Sequence, residues 1–202
     1  MMNVRTFPKP GRLLVALAVA ASLAPASAQE PPHAPPPSAP ETACIANDRF
    51  IVFSRSGDGP GNDIRARALT SRNATPPCVF DETTPDYRVA GTGEAKYALG
   101  LRRNFLILDE GTGPSLRWLR VVDLSARHEV RRVQYVPEPA PALSRRGVIF
   151  SKYLRIARKN DCPNVVKITA QGLTPLYVIK GELSLPALTF RATGHPSCIA
   201  GQ

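Results

Sequence analysis

Acidic residues near the middle of the chain are the first candidates for chemistry. Asp109 and Glu110 are adjacent, and Asp123 follows shortly after them. Glycoside hydrolysis needs two carboxyl groups that face one cleft, one of them with a shifted acidity. Acids at strand ends beside glycine turns more often accept hydrogen bonds from backbone amides. An envelope glycan hydrolase that uses these residues is therefore kept only as an alternative hypothesis.

A serine-histidine arrangement is the second candidate for chemistry. Asp123, Ser125 and His128 are close in sequence, but they span a turn and the start of a strand, where side chains point in different directions. No Gly-x-Ser-x-Gly motif accompanies them. His195 stands alone near the C-terminus and is interpreted as a surface residue. We predict no catalytic residues and a protein that is not an enzyme.

A glycine-rich segment and four cysteines could hold a metal ion. Residues 58–63 are similar to one calcium-binding nonapeptide repeat, but Arg65 stands where such repeats need an apolar residue, so a hairpin loop is favoured. The cysteines lack a Cys-x-x-Cys spacing, which disfavours zinc. Two disulfides are expected, and of the three possible pairings we favour Cys44 with Cys78 and Cys162 with Cys198. No metal and no cofactor are predicted.

An aromatic side chain among arginines is the best candidate for binding. Trp118 is the only tryptophan, and Arg117 and Arg120 flank it. Tryptophan and arginine dominate binding hot spots, although alternation along a strand also permits a core tryptophan. A glycine-proline loop just before it should be irregular and exposed. The predicted binding residues are Gly111, Gly113, Pro114, Arg117, Trp118 and Arg120.

The N-terminal part of the chain indicates export. Basic residues, an apolar run and the triplet Ala-Ser-Ala predict a signal peptide over residues 1–28. A proline-rich tether follows over residues 29–42, and a single disulfide-bonded β domain over residues 43–202. After removal of the signal peptide we expect no transmembrane segment and a charge of about +7, because the signal carries three basic residues of a chain with formal charge +10. The predicted location is periplasmic or secreted.

The domain is predicted to be all-β, because no segment shows a capped helical period. Two unbroken apolar runs, Phe50–Phe53 and Phe105–Leu108, predict strands that cross a core. Alternation over residues 165–170 predicts a half-buried strand, and a phase change at Pro186 predicts a bulge or kink. Residues 151–160 could form one or two helical turns.

An internal repeat underlies the strand pattern. Each apolar run is followed by a Gly-x-Gly-Pro loop and a second strand, at residues 50–70 and again 55 residues later at 105–125. A poorer third copy begins at Gly147. Repeated antiparallel meanders are the predicted architecture.

Residues 98–136, with Val122-Asp123-Leu124 at a strand end before a turn and another strand, resemble a β-propeller blade. Three units fall short of a closed propeller, so the resemblance implies a partial propeller-like stack or a sandwich. The chain also looks like the uncharacterised, proline-tethered exported β domains of Gram-negative bacteria.

Three hypotheses for function follow. The first is a non-enzymatic periplasmic or secreted binding domain that recognises an envelope protein or an anionic envelope component; nucleic acid is not favoured. The second is an inhibitor or immunity protein against a cell-wall lytic enzyme, although Ser56-Gly57 lacks the tyrosine of the loop that lysozyme inhibitors insert. The third is the glycan hydrolase already named.

Overall fold

The structure is a computed structural model, and it describes residues 41–70, 77–81, 83, 86–114 and 116–202. The predicted signal peptide and nearly all of the predicted tether lie outside the described residues. The first strand begins at Thr42. The described residues belong to one compact unit that ends at Gln202.

The described chain is all-β with one short helix, as predicted. In chain order the elements are β1 Thr42–Ala46, β2 Phe50–Ser56, β3 Asn62–Ala68, β4 Tyr87–Ala90, β5 Lys96–Arg102, β6 Phe105–Glu110, β7 Arg117–Asp123, β8 His128–Val136, β9 Ala142–Leu143, β10 Gly147–Ile156, α1 Val165–Ala170, β11 Thr174–Ser184, β12 Thr189–Ala192 and β13 Ser197–Gly201.

The strands form two antiparallel sheets. The first is a meander with the order β1-β2-β3-β4, and the second has the order β12-β11-β10-β8-β7-β6-β5. Strand β9 pairs with β10, and β13 pairs with β11. The predicted repeat is visible here, because β2 with β3 and β6 with β7 are equivalent hairpins joined by the two Gly-x-Gly-Pro loops.

The second meander, β5 to β8, lies between two apolar cores. Leu106 and Leu108 of β6 pack with residues of β2 and β3, such as Val52. Phe105 and Ile107, which alternate with them, pack with residues of β10 and β11. The two predicted core strands are thus confirmed, and every residue of the two apolar runs is buried.

Strand β8 connects the second meander to a third, which consists of β10, β11 and β12. It pairs with β7 along most of its length, and its last two residues, Tyr135 and Val136, pair with Lys152 and Ser151 of β10. A third apolar cluster forms at this junction, around Val136 and two residues of β11. The sheet is therefore continuous from β5 to β12.

Two local predictions in the C-terminal part were wrong. Residues 165–170 form α1 rather than a strand: Val165 and Ile168, three residues apart, are buried, and Val166 is exposed. Asn164 before the helix donates a hydrogen bond to the Cys198 carbonyl, and this tertiary contact accompanies the helical conformation despite the β-branched residues. The helical turns expected over residues 151–160 are absent there, because β10 continues to Ile156.

The phase change at Pro186 was also misinterpreted. Strand β11 ends at Ser184, and residues 185–188 form the turn that leads into β12. Leu183 then pairs with Phe190 across a hairpin. The two apolar phases belong to two strands, so no bulge is needed.

Both predicted disulfides are confirmed. Cys44 bonds to Cys78, and Cys162 bonds to Cys198. The first ties β1 to the segment before β4, and the second ties the segment before α1 to β13. Two disulfides fit a secreted or extracytoplasmic protein, because cytosolic thiols are kept reduced. Over the described residues, no helix has the length and apolar character needed to cross a bilayer.

Candidate functional site

The predicted binding residues lie on the β6–β7 hairpin. Three of them are in the loop, and the other three are in β7, where they point to two different faces of the sheet. Gly111 opens the loop with φ of 132°, a conformation that favours glycine. Gly113 has open space where a Cβ would stand, and Pro114 is exposed. Because side chains alternate along β7, Arg117 points to one face of the sheet, and Trp118 and Arg120 point to the other.

Arg117 is an internal ion-pair partner rather than a flank of the tryptophan. Its Nη2 lies 2.6 Å from Oδ2 of Asp109, which is buried. The Tyr135 hydroxyl donates a hydrogen bond of 2.6 Å to Oδ1 of the same carboxylate. Burial, together with this hydrogen bond, raises the pKa of Tyr135 far above its ordinary value, so Tyr135 stays a neutral donor. Arg117 therefore contributes to the internal structure of the hairpin.

Trp118 is half-buried, and a guanidinium group covers its ring. The Cζ atom of Arg132 on β8 lies 4.0 Å from the centroid of the indole. Arg132 also donates a 3.3 Å hydrogen bond to Oε2 of Glu110. A cation at this distance over an aromatic face is attracted by the ring quadrupole. The position of the indole is therefore supported by its neighbour on β8.

Arg120 is held by carboxylates on both neighbouring strands. Its Nε and Nη2 donate hydrogen bonds of 2.6 and 2.7 Å to the two oxygens of Glu110, and its Nη1 contacts Glu129. Bidentate pairs of this kind fix the planes of both groups. The positive charges of Arg120 and Arg132 balance the negative charges of Glu110 and Glu129. The surface beside Trp118 is therefore ordered by ion pairs rather than strongly cationic.

The structure separates the predicted binding residues of β7. The structure brings Trp118 and Arg120 to one face, but it places Arg117 on the other. Two further residues of this face, Arg132 and Glu110, were not predicted as neighbours of Trp118. Arg132 is opposite Arg120 in the β7–β8 register, and this register is the only signal that could have identified it.

The Trp118 face continues toward the third apolar cluster. Leu116, two residues before Trp118, packs against the cluster that contains Val136. Gln134 lies opposite Trp118 on β8, and Val136 follows on the same face. The indole therefore stands at the border between a buried apolar cluster and a polar surface.

The three candidate catalytic carboxylates do not face one cleft. Asp109 and Glu110 point to opposite faces of β6, and Asp123 lies at the far end of β7, paired with Phe105. Burial raises the pKa of Asp123, but hydrogen bonds from Asn104 and from the amides of residues 126 and 125 lower it more, so the net shift is downward. Asp123 acts as a turn cap.

The serine-histidine and calcium candidates also have structural partners. His128 Nδ1 lies 3.3 Å from the carbonyl of Ala126, rather than against Ser125. Asp63 is buried. Its Oδ2 lies 3.5 Å from Nη2 of Arg65, and its Oδ1 lies 3.6 Å from Nε of Arg88. Among the residues that the structure describes, no three His, Cys, Asp or Glu side chains form a group able to hold a metal ion.

Comparison with protein-family models, with curated proteins and with solved structures gave no significant match.

Proposed function

We propose that the protein is a non-enzymatic, periplasmic or secreted binding domain that recognises an envelope protein or an anionic envelope component. The contact surface, called here the Trp118 surface, consists of Trp118, Arg132, Gln134 and the loop residues 111–114. Arg120 and Glu110 lie beside it on the same face, where Glu110 accepts hydrogen bonds from both Arg120 and Arg132.

One observation carries this proposal: the guanidinium of Arg132 on β8 lies 4.0 Å over the ring of the only tryptophan, and Glu110 on β6 accepts a hydrogen bond from it across β7. Binding an aromatic anchor that is already ordered costs little conformational entropy. The side chain of Arg132 is 42% exposed, so the guanidinium can still donate hydrogen bonds to an acidic group. A half-buried indole with a cation on one face therefore suits a partner that offers apolar and anionic groups together.

Crosslinking in the native envelope, followed by identification of the captured molecule, tests the proposal. Trp118→Ala should abolish capture, because the partner loses its anchor. The indole is only partly buried, so we expect a stability loss of about 1–2 kcal/mol, below the 3–5 kcal/mol typical of a core aromatic. Arg132→Lys keeps the charge but loses the planar stacking group, and it should weaken capture while leaving the fold intact.

Val166→Ala is the matched control, because Val166 is exposed on α1, outside the Trp118 surface. It should capture as the natural chain does. A folded Trp118→Ala variant that captures at the same level would refute the assignment of the surface. Capture of nothing above background by the natural chain would refute the binding function.

The inhibitor and hydrolase hypotheses have no structural observation in their favour. Assays of muramidases and amidases with excess protein test the first, and hydrolysis of envelope glycans by the protein alone tests the second. Activity in either assay would replace the proposal made here.

A further inference from the structure

An open apolar groove lies between α1, the end of β10 and the start of β11. Its volume is about 590 Å³, which is within the range of sites that bind small molecules. Its apolar lining, which defines what is called here the α1 groove, consists of Ala157, Val165, Val166, Ala170 and Pro175. Val166 is 57% exposed, so part of this apolar surface is in contact with water.

The walls of the α1 groove are held by contacts behind them. Ala157 and Val165 are buried and belong to the apolar cluster that contains Cys198. The disulfide between Cys162 and Cys198 ties the segment before α1 to β13. The groove is therefore formed before a ligand arrives, and little conformational entropy is lost in ordering it.

Polar groups along the groove are used inside the protein. The Thr169 hydroxyl donates a 3.0 Å hydrogen bond to the carbonyl of Val165. The amide of Ala157 donates a 2.7 Å hydrogen bond to the carbonyl of Pro175. Because these donors already have partners, an apolar chain can lie against them without leaving them unpaired.

Among the described residues, one charged side chain lines the groove, that of Lys159. Over the same part of the chain, the Lys159 ammonium takes part in no ion pair and lies over no aromatic ring. The nearest acidic residue in sequence, Asp161, is engaged, because Arg155 Nη2 donates a 2.7 Å hydrogen bond to it and the Arg158 amide donates another. The groove therefore offers one cation beside an apolar wall, which complements an anionic group on an apolar chain.

We propose that the α1 groove binds a fatty acid, with its acyl chain along the apolar wall and its carboxylate on Lys159. Burial of the chain would supply most of the affinity, and a charge-assisted hydrogen bond to the ammonium would orient it. A bilayer surface fits less well, because anionic membranes attract clusters of basic residues and a single lysine lines the groove. This inference goes beyond the proposed function, because it does not use the Trp118 surface.

Calorimetric titration of the disulfide-bonded protein with dodecanoate, below its micelle concentration, tests the proposal. Dodecanoate should bind saturably and should slow amide hydrogen exchange in residues 165–170. Dodecyltrimethylammonium has the same chain and the opposite charge, and it should bind at least about tenfold more weakly. Butanoate keeps the carboxylate but has little chain to bury, and it should give no saturable binding.

Variants at the groove separate the two parts of the ligand. Lys159→Gln should weaken dodecanoate binding about tenfold, whereas the matched control Lys167→Gln, on α1 but outside the groove lining, should leave it unchanged. At the exposed position of Ala170, a change to Glu should abolish binding by repelling the carboxylate, and a change to Lys should not weaken it. Trp118→Ala should leave binding unchanged, so failure of this proposal and failure of the proposed function are seen separately.

Several results would overturn the proposal. These are no saturable binding of dodecanoate, equal binding of the cationic amphiphile, equal effects of Lys159→Gln and Lys167→Gln, and protection from exchange only outside residues 157–175. Phosphatidylglycerol vesicles should not retain the protein. Retention that Ala170→Glu removes would assign the groove to a membrane surface and would overturn the proposal as well.

Discussion

The buried carboxylate of Asp109 provides the sharpest test of how the β6–β7 hairpin is held. Asp109→Asn removes the negative charge but keeps an oxygen that can accept the hydrogen bond from Tyr135. Arg117 would then be left without its counter-ion. The side chains of Arg117 and Asp109 are only 19% and 11% exposed, so water can replace little of the lost interaction.

The expected cost follows from these exposures. Removing one partner of a buried ion pair costs about 3–5 kcal/mol, and the partial exposure of Arg117 places this pair at about 3 kcal/mol. For a domain of this size that loss lowers the thermal midpoint by about 9 °C. Tyr135→Phe removes one hydrogen bond to a charged group and should cost about 2 kcal/mol. Both changes together should cost less than the sum, because both act on the same carboxylate.

Urea unfolding followed by fluorescence measures these values, with Trp118 as the single tryptophan reporter. The compensating variant, Asp109→Asn with Arg117→Met, removes both charges and should recover stability to within about 1 kcal/mol of the natural chain. If Asp109→Asn alone cost less than about 1 kcal/mol, or if Arg117→Met brought no recovery, the ion pair would not be the source of the stability.

Three further predictions concern the scaffold. Gly61→Ala should lower the free energy of unfolding in urea by at least about 2 kcal/mol, because Gly61 has φ of 84° and a Cβ there would stand 2.0 Å from the Glu94 carbonyl oxygen. The control Gly113→Ala should be nearly neutral, because a Cβ at Gly113 would have no atom within 4 Å. The hydrogen bond from Arg155 lowers the pKa of Asp161 to about 2. The stabilisation of the folded state by this shift is present above the ordinary pKa of an aspartate and is lost as the pH falls through about 4 to 2. Asp161→Asn should therefore flatten the acid dependence of the urea midpoint over that range. Replacing both cysteines of the Cys162–Cys198 disulfide by serine should lower the free energy of unfolding by about 3–4 kcal/mol, measured in the same way, because the bond closes a loop with a sequence separation of 36.

Much of the architecture could be predicted from the sequence because its signals are local. The runs Phe50–Phe53 and Phe105–Leu108 are short, unbroken and followed by glycine turns, which is typical of buried strands. Residues 165–170 mislead because a short apolar run fits a strand and a helix equally well. Long-range contacts with the Cys162–Cys198 region, such as the hydrogen bond from Asn164 to the Cys198 carbonyl, accompany the helix, and a local pattern does not contain them.

The site was harder to predict because it depends on register. Adjacency in sequence placed Arg117 beside Trp118, but alternation sends the two side chains to opposite faces of β7. Arg132, which does cover the indole, is fourteen positions away and reaches it only through the pairing of β7 with β8. Cross-strand neighbours of this kind follow from the hairpin geometry rather than from any motif in the sequence.

The two glycine-proline loops of the repeat show how equivalent motifs can serve different ends. In the first copy, close packing requires the glycines: a Cβ at Gly57 would stand 2.5 Å from Thr92, and one at Gly61 would collide with the backbone at Glu94. In the second copy, a Cβ at Gly113 would meet nothing. Packing therefore explains the small residues of the first loop but not Gly113. Under the proposed function, the open space at Gly113 would let a partner approach this loop without a change in the packing of the hairpin.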